Sequence, residues 1–330
     1  MAMLRRPDVI YANTWPIFAS GIAALVAWFR RVPIVVSVQD VYPESLFSLG
    51  RLRKESTLAR LLRFVDVRIA RHASGVIVIS RGVERIYLSD RGIPAERLHL
   101  IANWRGSEEP PDGEAVRRRR DGWGISPGAF LFLFAGNVAA ACGIEDVIEA
   151  MSSLPPEPFA QLVVAGSGSA LEKCRNVASG EGCERAVFCG SFPAQETLPI
   201  LSAADVLILP TQGDQSLVSM PSKLISYMLA ARPVLAVARS ESDLAKVVNE
   251  SGCGWVVEPG DAGQLARQMS VAAATDRPML KRMGLLGREY ALANFSTEAC
   301  LPRVIGVLEQ AMRTKRRDST GPETYLDQRA

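Results

Sequence analysis

"DVLILPTQGDQSLVSMPSKLISYMLAARPVLAVA", residues 205–238, holds a whole structural unit in one stretch. An apolar, β-branched run (205–210) gives way to a polar loop, and a helical pattern then starts behind Pro221-Ser-Lys. A second apolar run (233–238) closes the stretch. Both runs are apolar along their length rather than alternating, which marks strands covered on both faces. A strand–helix–strand unit of this kind predicts parallel pairing through a right-handed crossover. It also puts the ligand-bearing loops at the C-terminal ends of the strands.

The same alternation extends in both directions. Further strands are expected at 8–12, 33–38, 75–80 and 98–102, and, beyond a polar stretch, at 130–136, 161–166, 186–190 and 254–258. With helical segments between them, the fold class is α/β with parallel sheets. The polar stretch at 105–128, rich in Pro, Gly and charge, marks a boundary. Residues 1–110 form a first domain, 111–128 a linker in which Arg117–Arg120 make a solvated helix face, and 129–295 a second domain. A last amphipathic helix covers 296–316, with Leu301, Val304, Ile305 and Leu308 on one stripe, and a disordered tail is expected from Arg317. The first domain has four strands to the second's six, so it reads as incomplete. An open edge at strand 8–12 then predicts poor solubility or association.

Composition bounds the function. The chain has 330 residues, 48% of them hydrophobic, enough for two cores. Net charge is only +3, yet residues 1–120 carry 20 basic and 12 acidic side chains, and residues 121–330 carry 18 and 23. A basic front half suits phosphates or an anionic membrane surface, or is simply a solvated Arg-rich surface; no motif points to nucleic acid. Six cysteines lack any C-x-x-C pair and there are only two histidines, so free thiols in a reducing, cytoplasmic setting are expected rather than disulfides or a His-based metal site. The apolar run at 15–29 is too short to span a bilayer. A buried helix is expected there, with surface docking through Arg30-Arg31 as the second reading.

Several chemistries lack their motifs. There is no phosphate-loop G-x-x-x-x-G-K-[ST], no D-x-D and no G-x-S-x-G. "GSGSAL" (166–171) lacks the third glycine of the dinucleotide fingerprint and reads as a tight turn. The positive signal lies at Pro221-Ser222-Lys223. Pro221 at N1 and Ser219 as N-cap would leave the amides of Ser222 and Lys223 at the positive end of a helix, where an anion is the natural occupant. A plain helix start with an exposed lysine fits equally well. Strand 130–136 ends at Gly136-Asn137, where glycine permits close backbone approach and the Asn amide can donate to a phosphate. Two such loops would hold a diphosphate without a metal. In the first half, strand 33–38 ends in "QDVYPESL", which presents Gln39, Asp40 and Glu44. Asp40 there either orients a sugar hydroxyl and stabilises positive charge at an anomeric carbon, or caps the following turn.

In order along the chain, "RPDVIYAN", "VVSVQDVYPESL", "GVIVISRGVERIYLSDRGIPAERLHLIANW", "FAGNVAAACGIEDVIEAM", "LVVAGSGSALEKC", "VFCGSFPAQETLPILSAADVLILPT", "PSKLISYMLAARPVLA" and "GCGWVVEPGDAGQLA" resemble glycosyltransferase family 4, from about residue 6 to 312. The similarity is to its bacterial O-antigen and colanic-acid-type exopolysaccharide group. It implies a GT-B fold, two facing Rossmann-like domains of which the N-terminal one lacks its first part. It also implies a retaining, metal-independent transferase without a cofactor, using a UDP- or GDP-sugar and a lipid-diphosphate glycan acceptor at the inner membrane face. By position, Gly136 and Asn137 fall near the donor phosphates, Gly190 and Ser191 near the base, and Ser222 and Lys223 at the phosphate-facing helix start. Asp40 and Lys223 are the catalytic candidates. The chain departs from the family's E-x7-E pair, placing Val218 and Ser226 there, and has Gln39 where many members carry a histidine. Two further readings follow, a non-catalytic nucleotide-sugar-binding subunit working with a partner chain and, less favoured, a sugar-nucleotide epimerase.

Overall fold

In the computed structural model, residues 6–14, 16–48, 50–180, 185–218 and 220–319 are described. The chain divides into two compact units, Met1–Ala102 with Cys300–Ala330, and Asn103–Ala299. All ten expected strands form, each within about two residues of its expected limits.

The first unit runs β1 (Ile10–Asn13), α1 (Ile17–Arg30), β2 (Ile34–Val38), α2 (Glu44–Ser48), α3 (Thr57–His72), β3 (Gly75–Val78), α4 (Arg81–Arg85) and β4 (Leu98–Leu100). Its strands form a parallel sheet in the order β1-β2-β3-β4. Apolarity predicts depth. Every residue of β2 and β3 is buried, whereas edge strand β1 alternates between half-buried and exposed. Beneath α3 lies a buried polar group. Tyr87 donates to Asp66 Oδ1 (2.6 Å), and Arg91 donates through Nε to Asp66 Oδ2 (2.9 Å) and through Nη2 to Glu44 (2.6 Å) and the Tyr42 carbonyl (2.9 Å). Burial raises the Asp66 pKa, and the bonds from Tyr87 and Arg91 offset part of that rise. The network ties the loop after β2 to α3 and to the segment beyond α4.

Helix α1 departs from expectation. It was expected to be buried, but it turns small residues such as Ser20 and Ala27 inward and leaves Phe18, Ile22, Leu25, Val26, Trp28 and Phe29 exposed. Hydrophobicity alone cannot say which face meets the sheet. Here Ile17 and two small residues, Ser20 and Ala27, are the buried ones, and most of the large side chains are left outside.

The second unit contains α5 (Gly113–Gly122), β5 (Phe130–Ala135), α6 (Ile144–Ser152), β6 (Ala160–Ala165), α7 (Leu171–Ala178), β7 (Ala186–Gly190), α8 (Thr197–Ser202), β8 (Val206–Pro210), α9 (Gln215–Val218) and α10 (Ser222–Leu229). It continues with β9 (Val234–Val237), α11 (Asp243–Ser251), β10 (Gly254–Val257), α12 (Ala262–Ala274) and α13 (Arg277–Phe295). Its parallel sheet has the order β10-β9-β8-β5-β6-β7, with β5, β6, β8 and β9 fully buried. The stretch read as a linker holds α5, whose arginines are not all solvated. Arg119 pairs with Glu196, and Arg120 pairs with the buried Asp205 (3.0 Å), whose Oδ2 also accepts from the Leu131 amide (2.8 Å). A buried carboxylate needs such partners, and that draws α5 onto the unit.

Helix α14 (Thr297–Ser319) continues three residues past its expected end, and residues 320–330 lie outside the described set. Its buried stripe is Cys300, Val304, Val307 and Ala311, while Leu301 and Ile305 are exposed. The i, i+4, i+7, i+11 series that faces inward starts on a cysteine and ends on an alanine, residues that carry little weight in a hydrophobic pattern.

Candidate functional site

Strand order assembles the site. In the second unit β6 and β7 leave β5 on one side, while β8, β9 and β10 leave it on the other. The loops after β5 and β8 therefore diverge at a topological switch point, the usual ligand crevice of an open parallel sheet. β5 and β8 are hydrogen-bonded neighbours, Phe132 opposite Val206 and Leu133 opposite Leu207.

Helix α10 is held at two points in its C-terminal half. The Tyr227 hydroxyl, fully buried, accepts from the Ala135 amide (2.9 Å) and donates to the Ala135 carbonyl (3.2 Å), pinning the helix to the last residue of β5. At its C-terminal end, Arg288 of α13 donates to the Leu229 carbonyl (2.7 Å), a cation where the helix dipole favours one. Lys223 lies four residues before Tyr227, so it shares that face one turn nearer the loops. Its Nζ sits 4.3 Å from the centre of the Phe134 ring, donates to the Asn137 carbonyl (3.2 Å) and meets the Cys142 sulfur at 3.8 Å. Burial pulls its pKa below the ordinary lysine value, and the nearby Cys142 sulfur offsets part of that pull. Lys223 is thus a half-buried, partly desolvated ammonium, held among the described residues by weak acceptors and a ring face rather than by a carboxylate.

Glycine makes room for it. A Cβ on Gly136 (φ +132°) would lie 2.5 Å from Lys223 Cε, and one on Gly166 would lie 1.9 Å from the Gly136 carbonyl oxygen. The "GSGSAL" turn therefore packs backbone to backbone against the Gly136–Val138 loop, with the Val138 amide donating to the Ser167 carbonyl (2.9 Å). The Gln212 amide donates to the Ala141 carbonyl (3.1 Å), which fastens the loop after β8 to the loop after β5.

Of the sequence-derived residues, Gly136, Asn137, Ser222 and Lys223 come together here. Pro221 occupies the N-cap position rather than N1, and Ser222 is the first helical residue. Lys223 is then the second, and the amides of both lack intrahelical acceptors by geometry. Ser219, read as the N-cap, lies outside the described residues. Gly190 and Ser191 stand at the end of edge strand β7, two strand spacings or about 10 Å from β5. Asp40 belongs to the first unit, at the end of β2. Its amide donates to the Thr14 hydroxyl (3.3 Å), which in turn donates to the Asp40 carbonyl (3.0 Å). Burial raises the pKa of its half-buried carboxyl. Ser226, at one position of the E-x7-E pair that the resemblance implies, is buried and lines a cavity of about 220 Å³ with Arg105, Ala194 and Thr197.

Tyr227 was not singled out as a site residue from sequence, and its i+4 spacing from Lys223 was the available signal; Cys142 was noted only through the resemblance, as standing where a basic residue is common in the first phosphate loop. Among the described residues, no three His, Cys, Asp or Glu side chains cluster at metal-ligating distance, and no helix is long and apolar enough to cross a membrane. Cys142, Cys174, Cys189, Cys253 and Cys300 are not joined in disulfides.

Comparison with known proteins matches residues 2–104 to a Glycosyl transferase 4-like domain and residues 129–274 to Glycosyl transferases group 1. The chain is 28% identical over 295 residues to the probable glycosyltransferase WbjE of Pseudomonas aeruginosa, covering 88% of this chain and 72% of that protein. It is 24% identical over 312 residues to the putative colanic acid biosynthesis glycosyl transferase WcaI of Escherichia coli K12, covering 91% and 73%. Among solved structures, Anabaena HepE in complex with UDP superposes with a TM-score of 0.75 at 18% identity, over 93% of this chain and 78% of that one. WaaG, a glycosyltransferase involved in lipopolysaccharide biosynthesis, gives a TM-score of 0.63 at 16% identity, over 87% and 80%.

Proposed function

The chain belongs to glycosyltransferase family 4, of the colanic-acid type with the GT-B fold, and we propose that it transfers a sugar, with retention of anomeric configuration, from a UDP- or GDP-sugar to a lipid-diphosphate glycan. The observation that carries the donor half is Lys223, a half-buried ammonium on the first turn of α10 beside a loop in which Gly136 makes room for its stem. HepE has been solved with UDP and with UDP-glucose, which supports a uridine nucleotide as the first donor to test.

Each residue then has a task. The departing diphosphate gathers negative charge as the glycosidic bond breaks. Lys223 and the first-turn amides of Ser222 and Lys223 are fixed in place before that charge develops, the arrangement that lowers a barrier without reorganisation. Gly136 leaves the room that the Lys223 stem occupies, and the Asn137 amide donates to the phosphate oxygens. Gly190 and Ser191, at the end of β7, take the base. Asp40 supplies the carboxylate that orients a sugar hydroxyl and faces positive charge at the anomeric carbon. The reading calls for no metal: the ammonium and the helix terminus offset part of the charge that develops on the diphosphate.

The test is release of UDP or GDP from a panel of nucleotide sugars in the presence of lipid-diphosphate acceptors. Lys223→Ala lowers turnover at least tenfold, about 1.4 kcal/mol of barrier; unchanged turnover removes Lys223 from the reaction. Ser226 in place of a family carboxylate favours one competing reading, a nucleotide-sugar-binding subunit. Tight UDP binding with no transfer to any acceptor, and recovery of transfer on adding a partner chain, would replace the enzyme by that subunit.

A further inference from the structure

The outer face of the first unit carries an apolar groove that the donor chemistry does not use. Helix α1 exposes Phe18 (63%), Trp28 (64%) and Phe29 (75%), and α3 exposes Leu58, Leu61 and Phe64 (62%) beside it. Between the two helices lies a groove of about 560 Å³ lined by Phe18, Ile22, Leu25, Trp28, Phe64 and Arg68. Isolated exposed apolar residues are ordinary, but a contiguous patch with this many large side chains marks a contact surface.

Charge identifies the contact. Helix α1 has one ionisable side chain, Arg30, and α3 carries Arg60, Arg63, Arg68 and Arg71. The one carboxylate in the two helices, Asp66, is buried under Tyr87 and Arg91 and does not offset them. Arg51, Arg53 and Lys54 precede α3, against a single Glu55. We propose that the α1–α3 face docks on an anionic phospholipid bilayer, with α1 lying in the plane of the interface. Aromatic and aliphatic side chains would enter the acyl boundary while arginines stay at phosphate depth, their stems lying along the apolar surface. Trp28-Phe29 followed by Arg30-Arg31 has that layering in four residues. A helix of 14 residues is about 21 Å long, suited to lying on a bilayer rather than crossing it. The proposal goes beyond the donor site and does not depend on which sugar is moved.

The test is co-sedimentation of the full chain with vesicles of phosphatidylglycerol and phosphatidylethanolamine, and with vesicles of pure phosphatidylcholine. Anionic vesicles bind the protein, phosphatidylcholine binds it at least tenfold less, and raising salt from 0.1 to 0.5 M weakens binding because the Debye length shrinks from about 10 Å toward 3 Å. The triple variant Ile22→Gln/Trp28→Gln/Phe64→Gln, which changes exposed positions only, lowers the partition coefficient at least tenfold with an unchanged thermal transition. Trp28→Phe keeps the binding and removes the blue shift of tryptophan emission that vesicles induce. Three results would each overturn the proposal. One is no binding to anionic vesicles. Another is equal binding by the triple variant. The third is a triple variant that turns a dimer into a monomer while vesicle binding stays the same, which would assign the face to a second copy of this chain.

Discussion

Substituting Gly136 by alanine tests the donor site at its narrowest point. The new Cβ would stand 2.5 Å from Lys223 Cε, well inside the 3.5–4.0 Å at which carbon atoms pack best. The backbone there, at φ +132°, adds about 1–3 kcal/mol of strain for any residue with a side chain. Lys223 is the flexible partner, so it gives way first and leaves its place over Phe134. A charge-assisted hydrogen bond to a diphosphate contributes about 1.5–3 kcal/mol, so displacing the ammonium should weaken UDP binding by about 10- to 150-fold. Isothermal titration with UDP and GDP reads this directly. The decisive measurement is the double-mutant cycle. If Gly136 acts by making room for Lys223, then once Lys223→Ala is in place, adding Gly136→Ala should cost binding less than about threefold. Wild-type affinity in Gly136→Ala, or two penalties that simply add, would refute the mechanism. Gly166→Ala is the structural control. Its Cβ would meet backbone rather than a flexible stem, so it should lower stability as well as affinity.

Three other outcomes are expected. Because burial lowers the Lys223 pKa, UDP affinity should fall as pH rises through that lowered value, before an ordinary lysine would titrate, with proton uptake on binding in the same range; Lys223→Arg, which stays charged, should remove the alkaline fall. Cys142 is partly exposed and touches Lys223, so saturating UDP should slow its alkylation by iodoacetamide at least tenfold, read by peptide mass spectrometry, and Cys174, fully buried, should react in neither state. Tyr87→Phe leaves the buried Asp66 Oδ1 without its donor and should cost about 1–3 kcal/mol by urea denaturation, while Arg91→Met, which strips the cation from two carboxylates, should cost about 3–5 kcal/mol.

The sequence by itself determined the elements of this protein and their class. Ten apolar runs of strand length, separated by helical patterns, are local signals. Burial of whole strands such as β2, β5 and β8 followed from their lack of alternation. A helix start near Pro221 was legible for the same reason, because proline and a first-turn cation act within a few residues of themselves, although the helix begins one residue later than expected, at Ser222. What local pattern could not supply was which distant groups meet. Only the strand order β8-β5 brings the loop after residue 135 against a helix that begins at 222. Only that contact creates the site of Lys223, with Phe134 beneath it, Cys142 beside it and Tyr227 pinning its helix. The errors have the same origin. The outward face of α1, the one-residue rotation of the α14 stripe and the anchoring of Arg119 and Arg120 all depend on a partner surface far away in sequence. Hydrophobic periodicity states how much surface a helix must bury. The tertiary structure decides against what, since that depends on packing and on pairing of buried charge between residues that the chain holds tens of positions apart.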